Sequence, residues 1–171
     1  MKNQSSKTGA GVLYIAQAGV IAAIYVVLTM AINVFNLASG AIQVRISEAL
    51  TILPYFTPAA IPGLFVGCLI SNLVTGCLPM DVVFGSLATL IGAIGTYLLR
   101  KYKFAAPVSP ILANMAIIPF VLMYVYKVPD AYWFLVLTVG IGEVISCGVL
   151  GMILLFALQP YEEVLFRRNV Q

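Results

Sequence analysis

The stretch AYWFLVLTVGIGEVISCGVLGMILLFAL, residues 131–158, decides the fold of this chain, because it is long and apolar and has a single charged side chain, Glu143. About 20 apolar residues are enough for an α-helix to cross the hydrocarbon layer of a bilayer. Core helices of soluble domains are shorter and carry a polar face. This stretch therefore predicts a transmembrane helix with one carboxyl group at membrane depth.

The composition of the whole chain agrees with a lipid environment. The chain has 171 residues, of which 62% are hydrophobic and 9% charged. Soluble domains are about 45–50% apolar and about 25% charged. We therefore expect an all-α integral membrane protein that forms one transmembrane domain over residues 1–171. Its polar tails cover about residues 1–10 and 159–171.

Six transmembrane helices fit the pattern of apolar runs, prolines and charges. They cover about residues 12–35, 46–56, 59–75, 81–99, 107–126 and 131–158. The second helix is too short to cross a layer of about 30 Å upright at about 1.5 Å per residue. Either it is tilted and partly embedded, or the loop before it lies inside the protein and lines a cavity. Pro119 predicts a kink in the fifth helix.

The basic residues predict the orientation. With the N-terminus in the cytoplasm, seven basic side chains lie inside and two, Arg45 and Lys127, lie outside. Loops with more lysine and arginine stay on the cytoplasmic side. We therefore expect both termini to be cytoplasmic. The inside set is Lys2, Lys7, Arg100, Lys101, Lys103, Arg167 and Arg168.

Several kinds of chemistry are excluded or disfavoured. The chain has no histidine, which excludes Ser-His-Asp catalysis and histidine-ligated zinc. Its three cysteines, Cys68, Cys77 and Cys147, form no CxxC pair, and we interpret them as small buried apolar residues rather than metal ligands. It contains no GxxxxGK[ST] phosphate-binding loop and no basic stripe that would indicate a nucleic-acid partner. A binding or carrier protein fits better than an enzyme.

Glu143 is the strongest candidate for a functional residue, since an ionisable group inside the membrane is costly. Helix lengths place Asn114 at a similar depth on the preceding helix, and short connections make these two antiparallel helices neighbours. The amide and the carboxyl group are expected to face one cavity. The alternative is a protonated glutamate, or a hydrogen bond between helices, with a structural role only.

A second polar group is expected on the outer side of the membrane. It contains Gln43, Arg45 and Glu48 before and in the second helix, Asn72 near the end of the third, and Asp81 at the start of the fourth. Structural explanations exist for some of them. Arg45 and Glu48 are spaced to pair on the surface, and Glu48 and Asp81 suit the N-terminal turns of helices.

Two further features admit two interpretations each. Trp133 at the outer end of the last helix is placed to stack on a flat ligand or to anchor the chain at the membrane interface. Ala18, Gly19, Ala22 and Ala23 make two small-xxx-small pairs in the first helix, which permit close approach of another helix. That helix belongs either to a partner subunit or to this chain.

Four segments carry a resemblance to a known family. IQVRISEALTILPYFTPAAIPGLFVGCLISNL (42–73), DVVFGSLATLIGA (81–93), PVSPILANMAIIP (107–119) and VGIGEVIS (139–146) resemble the QueT family. The resemblance extends from about residue 11 to residue 159, and residues 43–54 are its most specific part. The turn TGCLPM (75–80), between the third and fourth helices, departs from the pattern of the family.

The resemblance implies a six-helix substrate-binding (S) component of an energy-coupling factor (ECF) transporter. Such components capture ligand from the outer side. A transmembrane T component and two cytoplasmic ATPases supply the energy, so this chain is expected to bind no cofactor and to leave ATP to its partners. The small residues of the first helix resemble the surface that docks on the T component. The implied ligand is a queuosine precursor, 7-aminomethyl-7-deazaguanine or a related base.

The polar residues suit such a base. Its N–H donors need a carboxylate, its carbonyl needs an amide or an arginine, and its ammonium needs a carboxylate of its own. Glu143 with Asn114 is one way to bind the ring edge, which leaves Glu48 or Asp81 for the ammonium. The alternatives are an S component for another vitamin-like ligand, a proton-coupled carrier that uses Glu143, and, less well supported, a membrane enzyme or a scaffold.

Overall fold

The structure, a computed structural model, describes residues 2–34 and 45–166. Every regular element in these two ranges is helical. Gln43 and the basic residues Arg167 and Arg168 lie outside the described residues. The expectation of an all-α fold is therefore confirmed for the part of the chain that the structure describes.

Six helical segments follow one another, and the last four agree closely with the expected boundaries. They are α1 (Lys2–Val34), a 3₁₀ segment (Ile46–Tyr55), α2 (Ala60–Val74), α3 (Pro79–Leu98), α4 (Val108–Phe120, continued as a π-helix over Val121–Val125) and a long final rod. The rod consists of α5 (Tyr132–Glu143), a π-helical stretch (Val144–Leu150) and α6 (Gly151–Leu158). A 3₁₀ turn (Gln159–Tyr161) and α7 (Glu162–Leu165) follow it.

Four of these helices are long and apolar enough to cross a membrane. They cover Gly11–Asn33, Pro79–Leu99, Val108–Val125 and Tyr132–Leu165, while α2 is a shorter apolar helix. The N-terminal tail differs from the expectation, because α1 begins at Lys2 rather than near residue 12. Lys2 to Gly11 holds no proline, so nothing in it breaks the helix.

The 3₁₀ segment is the centre of the fold. It runs for ten residues, although 3₁₀ helices longer than three or four residues are uncommon. Its residues 47–54 are all buried, and it packs against α1, α3 and α6. Surrounding helices shield the irregular backbone of the 3₁₀ segment from lipid. Residues 36–44 of the loop before it lie outside the described residues, so the prediction that this loop lines a cavity stays a prediction.

Close packing of α1 on α2 depends on two glycines. A Cβ atom on Gly63 would lie 2.7 Å from the Ala18 carbonyl oxygen, and one on Gly67 would lie 3.0 Å from that of Ala22. Ala18 and Ala22 therefore pack against α2 of this chain, the second of the two interpretations of these small residues, and a docking role for this helix stays a prediction. Gly19 and Ala23 are exposed.

Two glycine substitutions should change stability in opposite directions. Gly67→Ala is expected to lower the free energy of unfolding by about 1–3 kcal/mol, because the new methyl group forces α1 and α2 apart. Gly19→Ala, where a Cβ atom meets nothing within 4 Å, should be neutral or stabilise the helix by up to about 1 kcal/mol. Thermal unfolding of both variants in one detergent tests this. Equal effects would show that this packing is unimportant.

Candidate functional site

A cavity of about 340 Å³ opens where the ends of α1, α2, α3 and α4 meet the start of the 3₁₀ segment. Three of the residues expected from the sequence, Arg45, Asn72 and Asp81, lie in its wall. Small-molecule sites have volumes of about 300–1,000 Å³ with a few converging polar groups. The remaining lining residues are Thr29, Ile32, Asn33, Ser47, Thr75, Cys77, Ile118, Leu122, Tyr126 and Val128.

Asp81 is held at the rim of this cavity. It is buried in the first turn of α3, and its Oδ2 accepts a hydrogen bond of 2.7 Å from the Tyr126 hydroxyl. Asp81 lies in the first turn of the helix, as expected, but Leu78 occupies the N-cap position, so an N-cap role for Asp81 is wrong. Partial burial and the Asp81 carboxylate raise the pKa of Tyr126, which keeps the phenol protonated and donating at neutral pH.

Asn72 reaches the cavity from α2 and packs over Gly85 of α3. A Cβ atom on Gly85 would lie 3.1 Å from Asn72 Nδ2 and 3.5 Å from Asp81 Oδ1, so this glycine lets the amide and the carboxylate come together. Asn72 Nδ2 also donates to Cys68 Sγ over 3.5 Å. Among the described residues, the Asn72 amide oxygen accepts no hydrogen bond and its second N–H donates none, so both can bind a ligand.

A buried carboxyl cluster lies beside the cavity. Glu48 of the 3₁₀ segment, Glu143 at the end of α5 and Cys147 of the π-helical stretch place ligand atoms within 4.8 Å of one another. Glu48 is 2% exposed and Glu143 is 7% exposed. The Cys147 thiol donates to Glu143 Oε2 over 3.1 Å. We refer to Glu48, Glu143 and Cys147 as the carboxyl cluster.

Glu48 is bonded on one side only. Its Oε1 accepts a hydrogen bond from the Tyr25 hydroxyl of α1, whereas its Oε2 is buried and has no hydrogen-bond partner among the described residues. The surface pairing of Arg45 with Glu48 considered from the sequence is wrong, because Glu48 is buried. Within residues 2–34 and 45–166, Arg45 forms no ion pair, although its charge is near enough to act on Glu48 and Asp81.

The 3₁₀ geometry connects the cavity with the carboxyl cluster. Side chains three residues apart are aligned in a 3₁₀ helix, so Glu48 and Thr51 lie on one side of it. Arg45 precedes the first turn with an extended backbone, and its carbonyl oxygen accepts from the Glu48 N–H. Arg45 lies in the cavity wall, and Thr51 Oγ1 lies 3.4 Å from Cys147 Sγ. The Arg45 backbone N–H donates to Ser146 Oγ over 3.1 Å, which ties this segment to the π-helical stretch.

Asn114 on α4 and Glu143 on α5 are both buried, and these two helices pack against each other. Within the described residues the two side chains form no hydrogen bond, so a shared site stays a prediction. The π-helical stretch begins directly after Glu143. Such insertions in α-helices occur often at functional sites, because they change the direction of the side chains that follow.

Four residues of the expected site do not line this cavity: the buried side chains Glu48, Asn114 and Glu143, and Trp133, which is 75% exposed on α5. The position of Trp133 is not one for stacking on a ligand in this cavity. Gln43 lies outside the described residues. Conversely, the sequence reasoning missed Tyr25 and Tyr126. Tyr25 is 1% exposed. The signal for it in the sequence was its position one helical turn after Ala22, on the same side of α1.

Comparisons with known proteins identify a family of transporters. The model of a protein family described as QueT transporter matches residues 15–160. A protein of Lactococcus lactis subsp. cremoris (strain MG1363), named queuosine precursor transporter QueT, is 35% identical to this chain over 85 residues. That alignment covers 49% of this chain and 50% of that protein, so the chain spans about half the length of the curated relative it matches. No solved structure matches the chain.

Proposed function

Because the chain belongs to the QueT transporter family, we propose that it is the S component of an ECF transporter and binds a queuosine precursor. The proposed ligand is 7-aminomethyl-7-deazaguanine or a related base, in keeping with the name of the Lactococcus lactis relative. The observation that carries the proposal is the cavity of about 340 Å³ in which Arg45, Asn72 and Asp81 meet next to the carboxyl cluster.

The chemistry of the cavity matches a planar, hydrogen-bonding base. The guanidinium of Arg45 donates to a ring carbonyl, and Asn72 offers both a donor and an acceptor. The Asp81 carboxylate accepts from ring N–H and exocyclic amino groups, and Tyr126 keeps it in place. Apolar side chains such as Ile32, on the facing side of α1, cover the faces of a ring.

The proposed orientation opens the cavity to the outside of the cell. The family and the four long apolar helices define a multi-pass protein of the plasma membrane. The cavity lies at the end of the molecule where Arg45 and Lys127 are found, and the basic residues 100–103 lie at the opposite end. With both termini cytoplasmic and six membrane-embedded segments, the positive-inside rule places the cavity outside. Ligand capture from the outer side follows.

The exposed side of α1 is proposed as the docking surface for the T component. Gly19 and Ala23 lie about 60° around the helix from Ala16 and Val20 at about 100° per residue. Ala16 and Val20 line an apolar groove of about 820 Å³ between α1 and α6, floored by the 3₁₀ segment. A strip of small residues beside an apolar groove lets a partner helix approach closely within the membrane. Two ATPase subunits bound to that partner supply the energy.

Cys77 is a natural reporter of ligand binding in the proposed site, because its thiol can be alkylated. It lines the cavity, whereas Cys68 and Cys147 are buried in the protein. Saturating 7-aminomethyl-7-deazaguanine is expected to slow alkylation of Cys77 by a maleimide at least tenfold in the purified chain, because a bound base covers the thiol. Mass spectrometry of the modified peptide gives the rate.

Control arms separate this function from the competing ones. Cys77→Ser should abolish rapid labelling, and adenine, which presents the opposite donor pattern, should give no protection. Protection by a different vitamin and none by the deazaguanine would show an S component of other specificity. Uptake driven by a pH gradient in vesicles without ATPase subunits would show a proton-coupled carrier.

A further inference from the structure

The carboxyl cluster contains two acidic side chains, and no basic side chain among the described residues pairs with either of them. Glu48 and Glu143 are buried and lie together. Arg45 forms no ion pair with them or with Asp81 within the described ranges. A buried carboxylate that lacks a partner is strongly unfavourable. The arrangement has room for one additional positive charge.

The position of the unbonded oxygen shows where this charge belongs. Tyr25 donates to Glu48 Oε1 and Cys147 donates to Glu143 Oε2, but Glu48 Oε2 is buried and has no partner among the described residues. An unpaired buried oxygen costs about 1–3 kcal/mol, and more when it is charged. A group that donates to this oxygen would remove that cost.

The spacing of the carboxyl groups fits a primary ammonium. An ammonium that donates two of its tetrahedral N–H bonds at about 2.8 Å holds two carboxylate oxygens about 4.6 Å apart. One carboxylate oxygen of Glu48 and one of Glu143 lie within 4.8 Å of each other, a separation that an ammonium can bridge. The ring edge of the same ligand has parallel donors about 2.3 Å apart, which a single carboxylate accepts. One isolated carboxylate, Asp81, is present in the cavity for that purpose.

We propose that Glu48 and Glu143 form a buried subsite for the primary ammonium of the ligand, with Tyr25 as a positioning residue, while Asp81 and Asn72 bind the ring edge. This proposal rests on the proposed function. It decides between Glu48 and Asp81, which the sequence left open, and it moves Glu143 from the ring edge to the ammonium.

The route from the cavity to this subsite is short. Ser47 lines the cavity and Glu48 is the next residue, one 3₁₀ turn beyond Arg45. At a rise of about 2.0 Å per residue, Glu48 lies about 4 Å along the segment from Ile46, its first residue. That distance is comparable to the reach of an aminomethyl substituent on a ring that lies in the cavity. The ligand therefore binds with its ring in the cavity and its cationic end directed inward.

A metal ion is the competing occupant of the carboxyl cluster. Two carboxylates and a cysteine are possible ligands for a divalent ion such as Zn²⁺. Zinc would need a Cys147 thiolate and one oxygen from each glutamate. An ammonium needs no thiolate and donates directly to the unbonded Glu48 Oε2.

The test compares two bases of equal shape, one with the charge and one without. Isothermal titration of the full chain in detergent measures the affinity for 7-aminomethyl-7-deazaguanine and for 7-ethyl-7-deazaguanine. The wild-type chain should prefer the charged base at least about 30-fold, the lower end of the range for a buried charge pair. Glu48→Gln should reduce this preference to less than about threefold and leave the affinity for the ethyl base nearly unchanged.

Matched variants make the result specific to the subsite. Asp81→Asn should weaken both bases by the same factor and preserve the preference for the charged one. Tyr25→Phe keeps Glu48 and removes only the hydroxyl that orients it, so it should lower the preference in part. If Glu48→Gln does not fold, Tyr25→Phe alone decides the question.

Three outcomes would overturn the proposal, and they are distinguishable. A wild-type chain that binds neither base refutes the proposed function and the subsite with it. Binding of both bases with a preference that Glu48→Gln or Tyr25→Phe leaves unchanged refutes the subsite alone. One equivalent of Zn²⁺ bound by the chelator-treated chain without any base, and lost in Glu48→Gln, identifies a metal site instead.

Discussion

Glu143→Gln is expected to weaken binding of 7-aminomethyl-7-deazaguanine by at least about 30-fold, since removing one partner of a buried charge pair costs about 2–5 kcal/mol. The side chain is 7% exposed, and Cys147, which donates to its Oε2, remains in place to bind the amide. The substitution changes the shape of the residue little. Any loss of affinity therefore reports on charge and hydrogen-bonding pattern. Isothermal titration of the purified chain measures it.

The stability of the ligand-free chain should change in the opposite direction. Glu143 lies beside Glu48 in the carboxyl cluster, and two neighbouring buried carboxyl groups oppose each other's ionisation. Replacing one with a neutral amide removes this repulsion, so the unfolding temperature without ligand should stay constant or rise. Glu163→Gln, on the exposed end of α7, should alter neither quantity. A parallel fall in stability and affinity for Glu143→Gln would indicate a structural role only.

Much of this site follows from the sequence because charge in a membrane segment is conspicuous. Glu143 stands alone in its apolar stretch, and counting helical rise was enough to match its depth with Asn114. The boundaries of α2 followed from Pro58 and Gly76, because proline and glycine disfavour a continuous helix. The end of α3 followed from the basic residues after Leu99, which mark the edge of the membrane. Both kinds of inference depend on local residues alone.

The central 3₁₀ segment could not be predicted in the same way. Its sequence ISEALTILPY has apolar residues at spacings that suit an α-helix equally well. Contacts with α1, α3 and α6, which are distant in sequence, determine its geometry. That geometry buries residues 47–54 on all sides of the segment, Glu48 among them. A surface ion pair was consequently the wrong interpretation of a spacing of three residues.

The small residues of α1 show how far a motif alone can be interpreted. Ala18–Ala22 and Gly19–Ala23 have the same spacing, and no local feature tells which pair meets α2. The partners of Ala18 and Ala22 are Gly63 and Gly67, about 45 residues further along the chain. Only a three-dimensional arrangement separates the pair used inside the protein from the pair left exposed.

The exposed pair leads to the second large effect. Ala23→Leu should reduce uptake of the base at least tenfold in cells that produce the complete transporter. A leucine on this strip holds a partner helix away from α1, and interfaces of this kind depend on small residues. Binding of 7-aminomethyl-7-deazaguanine to the purified chain should remain within twofold of the wild-type value, because Ala23 faces away from the cavity wall.

A matched substitution on another helix isolates the docking effect. Ala116 on α4 is exposed like Ala23 but lies on a different face of the molecule, away from the groove between α1 and α6. Ala116→Leu makes the same chemical change and should leave uptake, binding and co-purification with the T component intact. If Ala23→Leu also retains full uptake and co-purifies normally, the partner does not dock on α1. If it loses ligand binding together with uptake, the strip supports the fold of this chain and not its assembly, because a docking defect leaves the cavity of the separate subunit unchanged.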